Sequence, residues 1–501
     1  VPGDVMQGKC RNRRFSAPRH FSKIVRIFAE NGIFHDQSVL ARGRTWDQHV
    51  SMKLCHFLRV MILAMSGYAL PLAAADEGYA ILTWKDTHEQ PAWREVCTAL
   101  VKKHRARLII CEKDLTEALP SLQQHHPRYV AVVGTCEQVD GKFINRFHPL
   151  MRQIDADPYT DARWGVITGR TAEDAMKIVR EVKPLEIRGT VSGTRIATRM
   201  CEEAECFDEL VPRGHSIQRS GEKEKELPLT DADSTAELAA AFAAPSTQLI
   251  ITSGHATTRD WQPGFRYKNG TFHSRDGVIY GRDLSGKEHP VRQDSPKVYL
   301  PCGNCLMGLI DGPDAMALAW MHSVGVRQMA GYVEPTWYGY MGWGLIDYFV
   351  EQPGRYTFAE AFLANQLALV HRLETAPNLT PMDRKGLLFD RDMVAFYGDP
   401  AWSAIMAPRP LSFSQKLTQS EKSIVIEITP LEGENSYEAI DTNGSQRGGR
   451  PFLAFLPQRI EPSAYASTNH PGALLGDDFV LIPRPAPGTR ALPLRIEWRR
   501  K

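Results

Sequence analysis

From Tyr79 onward, short apolar runs alternate with segments in which apolar residues recur at helical spacing. Tyr79-Ala-Ile-Leu-Thr-Trp84, Ala106-Arg-Leu-Ile-Ile-Cys111 and Tyr129-Val-Ala-Val-Val-Gly134 read as buried strands, with helical stretches over 93–103 and 115–124 between them. That alternation predicts a parallel sheet built from right-handed βαβ units. A helical stretch near 143–154 and the strand-like Trp164-Gly-Val-Ile-Thr-Gly-Arg170 continue it. Thr171-Ala-Glu-Asp174 has the spacing of a capping box, with Thr171 as N-cap, opening an amphipathic helix that runs to Val182.

Pro184 closes that helix and a second α/β block begins. Residues 185–193 are strand-like, 212–233 are polar, and Gly221-Glu-Lys-Glu-Lys-Glu226 reads as a solvated loop. A helix over 234–243 leads into Leu249-Ile-Ile-Thr-Ser-Gly-His-Ala-Thr-Thr-Arg-Asp-Trp261, and a second run of β-formers appears in Val298-Tyr-Leu-Pro-Cys-Gly-Asn-Cys-Leu-Met-Gly308. Between them, Asn269-Gly270 and Asp276-Gly277 are hairpin turn dipeptides flanked by strand formers. Pro313 marks a first helical position for an alanine-rich helix to Met321, 326–333 reads as a strand, and 357–373 as a long helix. After Pro400 the helical period disappears, and short strands at 423–429, 451–456, 478–482 and 492–498 predict a small β-sandwich.

The first 75 residues follow a different pattern. Met52-Lys-Leu-Cys-His-Phe-Leu-Arg59 is a short basic region, 60–72 is apolar, and Ala73-Ala74-Ala75 supplies a small-residue cleavage site, so 52–75 is expected to be a secretory signal peptide. Residues 1–51 are expected to be an over-translated or disordered extension ahead of Met52. Export places the mature chain outside the cell, in the periplasm or at the cell surface. The 501 residues hold 60 basic and 58 acidic side chains; without the nine basic and four acidic residues of 1–51, and without Lys53 and Arg59, 49 and 54 remain. A net charge near −5 removes the electrostatic case for a nucleic-acid partner, and no other segment is long and apolar enough to span a membrane. The composition, 43% hydrophobic and 24% charged, is that of an ordinary globular protein.

The two strand-like runs, 249–261 and 298–308, carry the chemistry. Each ends on small residues and then presents a reactive side chain, His255 in one and Cys302 or Cys305 in the other. Functional groups of α/β sheets collect at the carboxyl ends of strands, so two neighbouring strands would bring imidazole and thiol together. Seven cysteines remain after the leader, an odd number, which leaves at least one thiol unpaired. Cys201 and Cys206 read as a local disulfide or as two buried thiols.

At these residues the chain resembles the gingipain-like, caspase-like cysteine peptidases. Ser253-Gly-His-Ala-Thr-Thr-Arg-Asp-Trp261 is similar to a strand ending in Gly-His-Gly with a tryptophan beyond it, and Cys305-Leu-Met-Gly308 to a nucleophile followed three residues on by glycine. Asp157-Pro-Tyr-Thr-Asp161, Gly165-Val-Ile-Thr-Gly-Arg170, 313–333 and Phe396-Tyr-Gly-Asp-Pro-Ala401 extend the likeness. The resemblance implies a caspase-like three-layer α/β/α fold with an N-terminal subdomain (76–183) and a catalytic subdomain (184–405), then an immunoglobulin-like β-sandwich (410–501). It implies an endopeptidase acting on a protein or peptide substrate, with His255 as proton shuttle, Cys305 as nucleophile, and the amides of Ala256 and Cys305 as oxyanion hole. Cys302 is the alternative nucleophile or a regulatory thiol. The family's glycine after the histidine is Ala256 here, and its acidic residues near 185–193 have no counterpart in Thr190-Val-Ser-Gly-Thr-Arg-Ile-Ala197, so a dyad is expected and no preference for basic residues carries over. No cofactor and no metal ligands are assigned; calcium, which such proteins bind, stays open. Two other readings stay open as well: a catalytically inactive binding relative, and a thiol-disulfide oxidoreductase using Cys302-Gly-Asn-Cys305.

Overall fold

The structure, a computed structural model, describes residues 78–208, 215–227, 233–263, 269–441, 446–466 and 470–501. The expected extension and signal peptide lie outside the described residues. Twelve strands form one sheet: β1 (Tyr79–Trp84), β2 (Arg107–Cys111), β3 (Tyr129–Val133), β4 (Arg163–Ile167), β5 (Gly189–Ser192), β6 (Glu203–Asp208), β7 (His215–Ser220), β8 (Lys223–Glu226), β9 (Leu249–Thr252), β10 (Lys297–Pro301), β11 (Val326–Tyr332) and β12 (Val394–Gly398). Their spatial order is β2-β1-β3-β4-β12-β11-β10-β9-β5-β6-β7-β8. Parallel ladders join β2, β1, β3 and β4 on one side and β11, β10, β9, β5 and β6 on the other. Between them β12 pairs antiparallel with β11 and meets β4 at one bridge, Val166 with Tyr397. This is a mixed α/β protein with a large, mostly parallel sheet. The central strands are buried along their whole length, which is why they read as continuous apolar runs rather than as alternating ones.

Several local expectations change. Thr171 sits at the N-cap of the helix Ala172–Arg180 but makes no side-chain cap. The carboxylate of Asp174, which would close the box, is buried and instead pairs with His322 Nδ1 at 2.8 Å. The loop expected at 221–226 is a two-residue turn and a strand: β7 and β8 form an antiparallel hairpin on β6. Its Lys/Glu alternation is exposed along the outermost strand, where charge discourages edge-to-edge pairing. The helix expected from Pro313 begins at Met316, because Ala315 N–H closes a tighter turn on Gly312 O and Met316 N–H donates across the chain to Thr258 O. The Asp276-Gly277 turn forms with both residues at positive φ between Thr271–Arg275 and Val278–Arg282, as a type I′ hairpin requires. The first hairpin, around Asn269-Gly270, lies partly outside the described residues.

Beyond Met406, two three-stranded antiparallel sheets enclose a second core of Phe413, Ile424, Ile426, Ile428, Phe452 and Trp498. Leu453, Phe479 and Leu481 face the main core instead and so bind this layer to the α/β block. Gly398-Asp399-Pro400 has a structural part at that passage: the Asp399 carboxylate is sealed from solvent and accepts hydrogen bonds from Tyr79 OH (2.9 Å) and Lys103 Nζ (2.9 Å), with His104 Nε2 at 2.7 Å. Among the described residues no helix is long and apolar enough to cross a membrane.

Candidate active site

Strands β9 and β10 pair in parallel with Thr252 opposite Pro301, so the segments carrying His255 and the two cysteines leave the sheet at the same edge. After Thr252 the chain turns at Gly254, whose φ of 110° is open to glycine alone at low cost. His255 then stands exposed. Trp261 holds this loop from behind: it is fully buried against Phe272 and Phe242 and donates its indole N–H to Ser253 O at 2.7 Å. Ala256 and Trp261 form an antiparallel bridge whose hydrogen bonds run from Gln262 N–H to His255 O and from Thr257 N–H to Asp260 O. The Ala256–Trp261 pair is therefore the non-hydrogen-bonded kind, and the Ala256 N–H is directed away from the bridge.

The loop after β10 separates its two thiols. Cys302 is fully buried with Sγ 3.3 Å from Thr252 O. Cys305 is partly open, and its sulfur accepts the Thr336 N–H at 3.2 Å. Leu306, immediately after it, adopts φ +56°, an uncommon conformation for a side-chain-bearing residue and one that collects at functional sites. The glycine three places after Cys305 has a plain steric cause: a Cβ on Gly308 would collide with Gly331 O, where the Gly308 N–H donates to Tyr332 O. Burial pushes the thiols of Cys97, Cys111, Cys136 and Cys201 up to about 11, which keeps them protonated and inert at neutral pH. Cys201 and Cys206 are two buried thiols, so of the two expectations for that pair the disulfide is not the one found.

Asn304 carries no signal of its role in the sequence. It is fully buried, accepts the Thr252 hydroxyl at 2.6 Å through Oδ1, and donates through Nδ2 to Gly254 O at 3.1 Å. One side chain from the cysteine loop thus fixes the backbone on which His255 rides. Tyr299 OH completes the cluster at 2.9 Å from Thr252 Oγ1. Gly303 presses the two loops together, since a Cβ there would collide with Ser253 Oγ. On the far side of β9, the β5 terminus supplies no carboxylate: Ser192 Oγ donates to Thr194 O at 2.6 Å, and Gly193 lies against the Trp261 ring.

Beside Leu306 a cleft of about 540 Å³ opens between the loops after β10 and β11 and the loop after β3. Glu137, Asp140, Asp311 and Glu334 line it against one lysine, Lys142. It is large enough for substrate side chains and would place them in a negative field.

No family model matches the chain, and no curated protein matches it. Among solved structures it is similar to the crystal structure of the Arg-specific cysteine proteinase gingipain R, at 10% identity over 83% of this chain and 93% of that one, with a TM-score of 0.42. At that identity and TM-score nothing about the activity of one chain transfers to the other.

Proposed function

We propose that this protein is a hydrolase that works through a thiol nucleophile and an imidazole base at the carboxyl edge of β9 and β10. More particularly, we read it as a cysteine endopeptidase. The observation that carries the reading is the parallel pairing of those strands, with Asn304 joining the loop of His255 to the loop of Cys305. In this scheme His255 takes the Cys305 proton, the thiolate adds to the scissile carbonyl, and the imidazolium returns the proton to the leaving amine. A thioester remains, which water cleaves with His255 as general base. The N–H groups of Ala256 and Cys305 are assigned to the oxyanion. Cys305 is favoured over Cys302 because a nucleophile must be reached by substrate, and Cys302 is fully buried. The same burial weighs against a Cys302/Cys305 redox couple, whose attacking thiol must meet a partner disulfide. The region after 410 is read as an immunoglobulin-like module, supported by its two antiparallel sheets and separate core.

The test is digestion of a peptide library by the reduced protein, with a peptide-based thiol trap run in parallel. Cleavage and trapping that both disappear in Cys305→Ala and His255→Ala, and persist in Cys302→Ala, are expected. Insulin-disulfide reduction that needs both cysteines would replace the peptidase with the oxidoreductase. Silence in every assay by a folded protein would favour a binding relative.

A further inference from the structure

A second cluster lies at the amino end of the first parallel ladder, away from the thiol. The helix Leu119–His125 ends at His126, which takes the left-handed conformation (φ 45°) as C-cap, its N–H bonded to Leu122 O at 2.8 Å. Its ring Nε2 is sealed from solvent and has no hydrogen-bond partner. The segment leading into β4 brings up Asp155 and Asp161, and one ligand atom from each of these three residues lies within 4.8 Å of the others. Among the described residues this is the one such group of imidazole, thiol and carboxylate donors.

We propose that His126, Asp155 and Asp161 bind one divalent transition cation, zinc by the class of its donors. One imidazole and two carboxylates are the borderline set that zinc takes up at about 2.0–2.2 Å, leaving a further position for water; calcium and magnesium prefer oxygen alone. The donors are already arranged by the backbone. Asp161 is 3% exposed and its Oδ2 accepts the N–H groups of Ile154 (3.1 Å) and Asp155 (3.3 Å). Asp155 Oδ1 accepts Asp157 N–H at 2.8 Å, which orients that carboxylate. Such outer hydrogen bonds aim first ligands in metal sites.

Charge supplies an independent argument. Asp157, Asp477 and Asp478 stand around the cluster, and Arg459, which pairs with Asp477 and donates to the Asp161 carbonyl, is the guanidinium set against them. A buried carboxylate so crowded by its own sign is stabilised by a bound dication, which reverses that local balance. Asp477, Asp478 and Arg459 belong to the C-terminal layer, and Tyr159 meets Phe479 there at 5.3 Å. The ion would therefore brace the junction of the two layers and need not touch the thiol chemistry.

The experiment is calorimetric titration of the full chain, stripped with chelator, with zinc chloride and separately with calcium chloride, followed by thermal unfolding with and without each ion. One zinc per chain and a raised unfolding temperature are expected. Affinity should fall at least about 100-fold in His126→Gln and in Asp161→Asn. Asp161→Asn keeps the size of the side chain and an oxygen that can accept the Ile154 and Asp155 N–H groups, so that variant is expected to fold, and far-UV circular dichroism checks both. Absence of zinc binding overturns the proposal, as does zinc binding that survives both substitutions, which would put the ion elsewhere. Calcium binding that is indifferent to His126→Gln overturns it too, because imidazole would then not be a ligand. Peptide cleavage reads out separately, so loss of the peptidase function leaves this result standing.

Discussion

The two parallel ladders of the sheet are built alike and end differently. At the ends of β1 and β3 several polar groups are absorbed by the fold: Thr83 Oγ1 donates to Val133 O at 2.9 Å, Asp140 caps the helix Gly141–Met151 through Phe143 N–H, and the Cys136 thiol is held protonated by burial. At the ends of β9 and β10 the structural bonds are made by residues beside the reactive ones, Thr252, Ser253 and Asn304, while His255 is exposed and Cys305 partly so. The difference is one of who does the holding. Where the reactive residue is also the strut, as with a buried cysteine, its chemistry is silenced; where a neighbour is the strut, it stays available.

The most damaging way to break that contrast is to exchange the two thiols' fates. Cys305→Ala should lower kcat/KM for peptide cleavage by roughly 10⁴-fold or more, the scale seen when a nucleophile is removed from a working catalytic group. Cys302→Ala should leave cleavage measurable, its cost falling on stability through the small cavity left at a fully buried position. Equal loss in both variants, with both still folded, would sink the division of labour between the two cysteines.

Where the first ladder meets the end of β12, through Tyr79 and Asp399, the expected effect is on folding. Burial alone would raise the Asp399 carboxyl, but the hydrogen bond from His104 and the charge of Lys103 outweigh it and hold the group well below the usual carboxylate range. A depressed folded value means stability that is fully present above the unfolded carboxyl value near 4 and lost as pH falls below it. Asp399→Asn leaves Lys103 and His104 without their carboxylate and should cost about 3 kcal/mol at neutral pH. It should also flatten the acid limb of a plot of unfolding midpoint against pH. An acid limb unchanged by the substitution would show that other carboxylates set it.

How much of this was legible depended on whether a residue's role is local. Buried strands such as Tyr129–Val133 and Leu249–Thr252 announce themselves because both faces are covered, so the first is apolar or aromatic throughout and the second at every position but Thr252. That β9 and β10 are neighbours entered the sequence reading only as a condition, and the parallel pairing is what the structure supplies. Asn304 was not legible, because its partners lie fifty residues away on another strand and no spacing rule connects them. Asp174 deceived for the same reason: the capping pattern was intact, and a distant His322 took the carboxylate. The Lys/Glu alternation of β8 resembled a solvated loop since an edge strand with both faces wet has no apolar signature.

Asn304 itself offers the next test. Removing its amide leaves the Thr252 hydroxyl and the Gly254 carbonyl without that partner, worth about 1–3 kcal/mol of stability. If the side chain positions the loop of His255, Asn304→Ala should also reduce kcat by about 100-fold with little change in KM, since small misplacements of catalytic groups act on the reaction step. Asn304→Asp keeps the acceptor for Thr252 and loses the donor to Gly254. Ionised, it also sets a buried carboxylate against Gly254 O, so it should be at least as destabilising as Asn304→Ala and no more active, and a variant fully active without that donor would remove Asn304 from the site.

The smallest effect concerns Leu306, beside the nucleophile on the active ladder. A left-handed conformation costs a side-chain-bearing residue about 1–2 kcal/mol, and glycine relieves that while adding about 0.5–1 kcal/mol of unfolded-chain entropy. Leu306→Gly should accordingly stabilise the fold by about 0.5 kcal/mol in denaturant unfolding. If the φ of +56° is what orients Cys305, kcat should fall in the same variant, because glycine makes that conformation one among several. Stability gained together with activity lost marks strain put to use. Stability lost by more than about 1 kcal/mol would mean instead that the Leu306 side chain, which lines the cleft wall, contributes more by its packing than its backbone costs.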